Sequence, residues 1–168
     1  MRRTLYLLLL TTLLLTGGGC RRMAQRAAQK IHIEGIEQLR PQGLSAAEVV
    51  FRVTNGTGYK LQLNDAQFDV YYKGAPFLTI RLAERVEVPK RTTASIPTRW
   101  RIRIADPLTL LLVGRDWMQR EVSQLTVDYT LEGRGGPVPV KRQRKGVPLS
   151  EFLRTFGVSL DAINSFIH

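Results

Sequence analysis

The feature that most constrains this fold is a two-residue alternation of apolar and polar side chains, which recurs between residues 31 and 140. It is clearest near the middle of the chain, where Trp100, Ile102 and Ile104 alternate with arginines. Successive side chains of a β-strand point to opposite faces of the sheet, so this period predicts strands with one buried face. The chain is therefore expected to build its core from β-sheet.

Turn signals divide the alternating segments into short strands. Residues 55–58, Asn-Gly-Thr-Gly, form the strongest signal because Asn and Gly accept positive φ angles. The predicted strands cover 31–34, 47–54, 59–63, 66–72, 77–82, 92–104, 121–131 and 138–145. About seven or eight short strands predict an all-β domain over residues 31–148, an immunoglobulin-like or fibronectin type III-like β-sandwich. Pro97 is expected at an edge or a bulge, because proline cannot donate to the strand ladder.

Two segments depart from this period. Asp106 and Pro107 suit the N-cap and first position of a helix, so a short helix is predicted over 107–113. In the tail, 149–168, an apolar stripe at helical spacing predicts an amphipathic helix that Gly157 ends. The stripe consists of Leu149, Phe152, Leu153 and Phe156. Docking on its own domain is the favoured interpretation, while a membrane surface or a partner protein remain alternatives.

The first 19 residues have the layout of a secretory signal peptide. Arg2 and Arg3 are basic, residues 5–15 are mostly leucine, and three glycines at 17–19 precede Cys20, the one cysteine of the chain. The apolar run is shorter than the ~20 residues that a membrane-spanning helix needs. The sequence therefore predicts export of everything that follows this segment.

The glycine run before Cys20 resembles the lipobox of bacterial lipoproteins. Gly18 and Gly19 fit that pattern, whereas Gly17 stands where leucine is usual. The resemblance implies that residues 1–19 are removed and that Cys20 becomes a lipidated N-terminus, which anchors the protein in a membrane. Arg21, in place of an aspartate, implies the outer membrane, with the periplasmic face as the default. A secreted protein with a free thiol and an uncleaved short anchor remain alternatives.

The charge of the chain favours anionic partners. Basic residues outnumber acidic ones by 25 to 14, and 23 to 14 remain without Arg2 and Arg3, a formal charge of +9. Export argues against nucleic acid, which leaves anionic lipid, lipopolysaccharide or another polyanion. The candidate contacts are Arg99, Arg101, Arg103, Lys141, Arg142, Arg144 and Lys145. A solvated basic surface without a partner is the alternative, and residues 20–30 are predicted to be a basic tether or a plain spacer.

Residues 49–63 resemble the late embryogenesis abundant type 2 family, also called the water-stress and hypersensitive-response domain. In that family a hydrophobic strand ends in Asn, commonly followed by Pro, before a turn and another apolar strand. Here Asn55 matches and Gly56 replaces the proline. Residues 68–74 resemble the hairpin of the family, and 86–90 also fit. The resemblance implies an immunoglobulin- or fibronectin-like sandwich without catalytic residues, in an interaction or stress-protection role.

The sequence offers no catalytic, cofactor-binding or metal-ligating constellation. His32 alternates with apolar residues in a strand, His168 is the last residue, and Cys20 is assigned to the lipid. Two carboxylate pairs occur, Glu84 with Glu87 and Asp65 with Asp69, at a spacing that is common on strands. We therefore expect a protein that is not an enzyme and has no cofactor. Its expected partners are the membrane, through the lipid anchor, and a protein of the cell envelope.

Overall fold

The computed structural model describes residues 29–105, 107 and 122–158. Most of these residues lie in β-strands, which confirms the predicted all-β fold class. The strands are β1 (Ile31–Gln42), β2 (Ala46–Asn55), β3 (Leu61–Tyr72), β4 (Ala75–Leu82), β5 (Val86–Val88), β6 (Thr92–Ile104), β7 (Leu125–Gly135) and β8 (Val138–Pro148). A 3₁₀ turn, Val122–Gln124, precedes β7, and helix α1 (Leu149–Thr155) follows β8.

The strands pair antiparallel in the order β1-β2-β6-β4-β3-β7-β8, and β5 pairs with β3. Side chains of β2 and β6 pack against side chains of β3 and β5, so the sheet folds over into a sandwich-like arrangement around β4. The rings of Phe68 in β3 and Trp100 in β6 show this curvature, because their centroids are 5.5 Å apart although β4 lies between the two strands. We call the face toward this core the inner face and the opposite one the outer face.

The core lies between the two groups of strands. Ile96 and Trp100 of β6 and Val53 of β2 meet Ala66 of β3 and Val88 of β5. Along the whole of β6, buried or half-buried residues alternate with exposed ones, as the sequence pattern predicts. Removal of these apolar side chains from water stabilises the fold by about 25 cal/mol for each Å² buried.

Pro97 lies in β6, which is an interior strand of the sheet, and its pairing with β2 has no bulge at this position. The pairing of β6 with β2 includes Pro97 opposite Val50. The pairing of β6 with β4 ends at Trp100 opposite Leu82, so Pro97 lies beyond it. The missing N–H group therefore leaves the paired part of the β4–β6 ladder intact.

Two strands continue past positions where the sequence pattern predicts a break, because a strand tolerates an irregularity. Gly35 does not end β1, which runs on to Gln42 with register shifts on both sides of Ile36. The segments 59–63 and 66–72 are one strand, β3, with a bulge at Asn64. The strands predicted from the sequence also lack the short strand β5, which follows β4. A bulge inserts one residue without ending the strand, so a break in alternation is not always a strand end.

Helix α1 has the predicted position and the predicted end. Gly157 has a φ angle of 66°, and the Val158 N–H donates to the Leu153 carbonyl at 2.9 Å. This left-handed residue after the last turn is the usual way in which glycine terminates a helix. The helix packs on the inner face of its own domain. The ring centroids of Phe152 and Phe68 are 5.2 Å apart, and Leu153 is buried.

Several predictions fall outside the described residues. These are the signal segment and lipid site at 1–20, most of the tether, the helix at 107–113 apart from Pro107, and the tail after Val158. None of the helices within the described part of the chain combines the length and the apolar character that crossing a bilayer requires.

Candidate anion-binding surfaces

Three of the predicted contact residues project from the outer face of β6. Arg99, Arg101 and Arg103 are exposed, and they alternate with the inward-facing Trp100. Their spacing along the strand is about 7 Å from one to the next. The pairing of β4 with β6 places Arg81 directly opposite Arg101. We call these four arginines the β6 arginine cluster.

Carboxylates hold only two of the four arginines. Arg81 Nε is 3.7 Å from Asp65 Oδ1, and Arg99 Nε is 3.8 Å from Glu84 Oε1. In the described part of the chain, the other two arginines have no carboxylate within 4.0 Å. Half of the cluster therefore carries positive charge that no carboxylate of the described residues balances at this distance.

Arg81 and Arg101 stand opposite each other, and the repulsion between their charges lowers the stability of the sheet. Like charges directly opposite each other on neighbouring strands destabilise a sheet, with a magnitude of about 0.2–1 kcal/mol for a cross-strand pair. An anion between the two guanidinium groups would remove this repulsion. Guanidinium groups also bind phosphate and carboxylate through two parallel hydrogen bonds. The cluster is chemically suited to a multivalent anion such as a phosphate group.

An exposed apolar side chain lies at the end of the arginine cluster. Leu44, in the turn between β1 and β2, is 74% exposed. The Ile102 N–H donates to the Ser45 carbonyl at 2.7 Å, which holds this turn beside the end of β6. Ala46 stands opposite Arg101 in the β2–β6 ladder. Leu44 therefore extends from the same end of the sandwich as the unpaired arginines.

The second predicted group lies on β8, and we call it the β8 basic run. It consists of Lys141, Arg142, Arg144 and Lys145, all of them exposed. Lys141 Nζ is 2.6 Å from Glu132 Oε1, and this hydrogen bond raises the pKa of the Lys141 ammonium. Arg144 Nη1 is 3.3 Å from Glu151 Oε1 of α1. The other two members have no carboxylate within 4.0 Å among the described residues.

The structure does not bring the two basic groups together. Three strands, β4, β3 and β7, separate β6 from β8. Neighbouring strands lie about 4.8 Å apart, so the path across the sheet is roughly 19 Å. The cross-strand register places carboxylates on the outer face of the intervening strands, namely Asp65, Asp69, Asp128 and Glu132. The predicted contacts therefore do not form one surface. On β8 they divide further, because Lys141 lies opposite Glu132 on the outer face and Arg142 lies opposite the inward-facing Leu131.

The carboxylates of the two predicted pairs form hydrogen bonds with other side chains. Glu87 accepts hydrogen bonds from Lys60 at 2.9 Å and from Gln62 at 2.7 Å, and these two bonds lower the pKa of its carboxyl. Asp69 accepts hydrogen bonds from Gln67 and Thr79, both at 2.8 Å. Within the described ranges, no group of three or more His, Cys, Asp or Glu side chains is placed to hold a metal ion.

The other residues considered from the sequence are not placed in a site. His32 is exposed on β1, opposite Thr54. Cys20 and His168 lie outside the described residues.

Arg81, the fourth member of the β6 arginine cluster, and Leu44, at the end of that cluster, were not identified from the sequence. The alternation of Arg81 with Ile80 and Leu82 carries the signal that its side chain faces outward. The register that sets it opposite Arg101 joins strands that do not follow each other in the chain, so no local pattern contains it. Leu44 stands between a Gly and a Ser in a turn, where nothing in the local sequence distinguishes an exposed leucine from a buried one.

Comparison with known proteins adds no relative to this picture. A scan against models of protein families gives no match to the chain, and a search of curated proteins finds no similar sequence.

Proposed function

We propose that the protein is a non-catalytic lipoprotein of the cell envelope, anchored through Cys20 and carrying its sandwich-like domain for an interaction or stress-protection role. The observation that carries this proposal is the signal-peptide layout of residues 1–20, placed directly before a β-domain whose first strand begins at Ile31. The ten intervening residues reach at most about 36 Å when fully extended. The anchored domain would therefore work close to the bilayer, in our proposal the periplasmic face of the outer membrane.

The buried side chain of Asn55 gives a structural role to the residue that carries the family resemblance, on which the stress-protection version of the proposal rests. The resemblance to the late embryogenesis abundant type 2 family rests on an asparagine that ends an apolar strand. Asn55 ends β2, and its side chain amide donates to the carbonyls of Tyr59 and Pro89, both at 2.8 Å. A residue with this many contacts has a structural reason to recur at that position in a family.

The mass of the intact protein extracted from membranes tests the anchor. We expect a chain that begins at Cys20 and carries acyl groups, and we expect the Cys20→Ala protein to lose the acyl groups and leave the membrane. Gly17→Leu is the matched control, because it restores the usual lipobox residue and should preserve the modification. A mass without lipid, or one that retains residues 1–19, would contradict the proposal. Separation of inner and outer membranes by density tests the location.

A second candidate function is the binding of an anionic lipid surface or lipopolysaccharide, and the facing of Arg81 and Arg101 favours it. The cluster carries unbalanced positive charge, and Leu44 beside it offers an apolar side chain that can enter a bilayer interface. The twelve residues of β1 span roughly 40 Å between the tether and this end. With the sandwich upright, the arginine cluster would face away from the anchoring membrane.

Vesicle binding by the mature chain without lipid, residues 21–168, tests this second function. We expect sedimentation with vesicles containing phosphatidylglycerol, no sedimentation with neutral phosphatidylcholine vesicles, and weaker binding as salt is raised. Arg101→Glu with Arg103→Glu should abolish binding. Arg142→Glu with Lys145→Glu on β8 is the control of equal charge change. Equal loss in both double variants would mean that net charge alone drives the binding, and circular dichroism verifies the fold of each variant.

A further inference from the structure

The strand β8 presents a long free edge. Among the described strands it pairs only with β7, and Val147 is the one buried residue of its eleven. Val138 and Val140 are 58% and 54% exposed, and they stand two residues apart on the same face of the strand. An exposed edge strand is a template for pairing with another chain, so proteins normally blunt or use it.

Hydrogen bonds at the ends of β7 fix the direction of its backbone groups. The Gly136 N–H donates to the Lys60 carbonyl at 3.1 Å, and the Gln124 carbonyl accepts from the Lys73 N–H at 3.0 Å. Both partners lie at the ends of β3. Because β7 has no bulge of its own, its even-numbered residues direct their backbone groups to β3 and its odd-numbered residues to β8.

This direction determines which backbone groups of β8 remain free. Gly133 and Leu131 of β7 stand opposite Val140 and Arg142. The backbone N–H and C=O groups of Val140 and Arg142 therefore form hydrogen bonds with β7. The intervening residues Lys141 and Gln143 direct theirs to the open side. Pro139, also on the open side, has no N–H group to offer. The free donors of this half of the edge are thus the N–H groups of Lys141 and Gln143.

The basic side chains of β8 disfavour pairing of this edge with β8 of a second copy of the chain. Antiparallel pairing of two β8 strands would bring two β8 basic runs together, and like charges across strands are destabilising. The same charges would favour carboxylates. Arg142 and Lys145 have no carboxylate partner within the described part of the chain, whereas Lys141 and Arg144 already have one each.

An open groove of about 420 Å³ lies beside the start of this edge. It is lined by Asn64, Glu132, Gly133, Arg134, Pro139, Val140 and Lys141. Gly133 is required there, because a Cβ atom at this position would come within 2.3 Å of the Gln62 carbonyl oxygen. The groove gives a neighbouring strand a place for an apolar side chain next to Val140.

We propose that the free edge of β8 binds an extended, acidic segment of a partner protein by β-strand addition. The backbone of the segment pairs with Lys141 and Gln143. On the face of β8 that carries Val138, Val140 and Arg142, apolar side chains of the segment cover the two valines and a carboxylate meets Arg142. A carboxylate on the opposite face of the segment meets Lys145. The proposal rests on the interaction role proposed above and names its surface and the chemistry of the partner. It does not depend on the lipid, so the mass measurement and the experiment below can fail independently.

The test uses the full chain in a neutral detergent and two fluorescent ten-residue peptides. One has Val and Thr in one half and Glu in the other, and the second has Lys in place of Glu. Fluorescence anisotropy should show binding of the acidic peptide and none of the basic one. Arg142→Glu with Lys145→Glu should weaken binding by about tenfold or more. Arg101→Glu with Arg103→Glu, the equal charge change on β6, should leave it unchanged.

A backbone variant separates strand addition from simple charge attraction. Gln143→Pro removes one free-edge donor without changing charge, and the fold should survive because that N–H is not used by β7. We expect this variant to lose peptide binding while it keeps its thermal unfolding transition. Unchanged binding by folded Gln143→Pro would overturn strand addition. Equal binding of both peptides, no binding of the acidic one, or self-association through β8 in light scattering would overturn the proposal as a whole.

Discussion

The side chain of Asn55 and the backbone of Thr57 close a buried ring at the end of β2. Asn55 Oδ1 accepts the Thr57 N–H at 3.0 Å and the Thr57 hydroxyl at 2.6 Å. Its Nδ2 donates to the carbonyls of Tyr59 and Pro89, so one amide joins the end of β2 to the turn and to the residue after β5. Asn55 is 0% exposed, and all of its hydrogen-bonding capacity is met by protein groups.

Substitution of Asn55 by Ala should strongly destabilise the domain. The change removes the partner of the buried Thr57 N–H and of the Pro89 carbonyl, while the Tyr59 carbonyl keeps a hydrogen bond from the Thr57 hydroxyl at 3.1 Å. Each buried group that loses its partner costs about 1–3 kcal/mol. We expect the free energy of unfolding to fall by about 2–4 kcal/mol in urea titrations. Asn64→Ala, at an exposed position, is the control. A loss below about 0.5 kcal/mol would mean that water replaces the ring without cost.

Substitution of Gly157 by Ala should loosen the contact between α1 and β1. Gly157 has a φ angle of 66°, and a Cβ atom there would lie 2.8 Å from the Ile33 carbonyl oxygen. Gly43→Ala is a matched control, since its φ angle is 68° and nothing lies within 4 Å of the added atom. Both variants should lose about 1 kcal/mol for the left-handed backbone, and Gly157→Ala should lose more. Equal losses in denaturant titrations would argue against the contact.

The sequence pattern predicts some parts of this fold well and others poorly, for physical reasons. Residues 92–104 are predicted to their ends because every residue of that strand obeys the alternation that one buried face imposes. Gly157 is predicted because helix termination is local. Neither the strand that continues through Gly35 nor the bulge at Asn64 is predicted, since only the partner strand shows that pairing resumes. The opposition of Arg81 and Arg101 is likewise set by register between distant segments.

Substitution of Tyr129 by Phe should leave the domain as stable or make it more stable. Tyr129 is 2% exposed on the inner face, and among the described residues its hydroxyl has no hydrogen-bond partner. A buried hydroxyl without a partner costs about 1–3 kcal/mol, so its removal should raise the free energy of unfolding by about 1 kcal/mol. Tyr59→Phe, at a half-exposed position, should change nothing. A clear loss of stability in Tyr129→Phe would show that the hydroxyl has a partner.

The carboxyl of Glu87 should make stability depend on acid pH. Hydrogen bonds from Lys60 and then from Gln62 lower its pKa in the folded protein. Its contribution to stability is therefore complete above the ordinary pKa of a glutamate and is lost as the pH falls through the lowered value. A carbon-13 NMR titration should place the pKa of this carboxyl below that of a free glutamate. Lys60→Met and Gln62→Ala should each raise it, and Gln143→Ala should not.

Replacement of Arg101 by Glu should stabilise the fold while it weakens anion binding. The change removes the repulsion with Arg81 and adds an attraction that competes with Asp65, which already lies 3.7 Å from Arg81. The gain is therefore at most about 0.5–1 kcal/mol at low salt. Arg101→Gln removes only the repulsion and should give a smaller gain. Salt should shrink both gains, because exposed charges are screened within about 10 Å at 0.1 M. If Arg101→Glu is less stable than Arg101→Gln in dilute buffer, the two side chains do not face each other in solution. If it is more stable and no longer sediments with anionic vesicles, the facing arginines lower stability in the free domain and serve the binding of an anion.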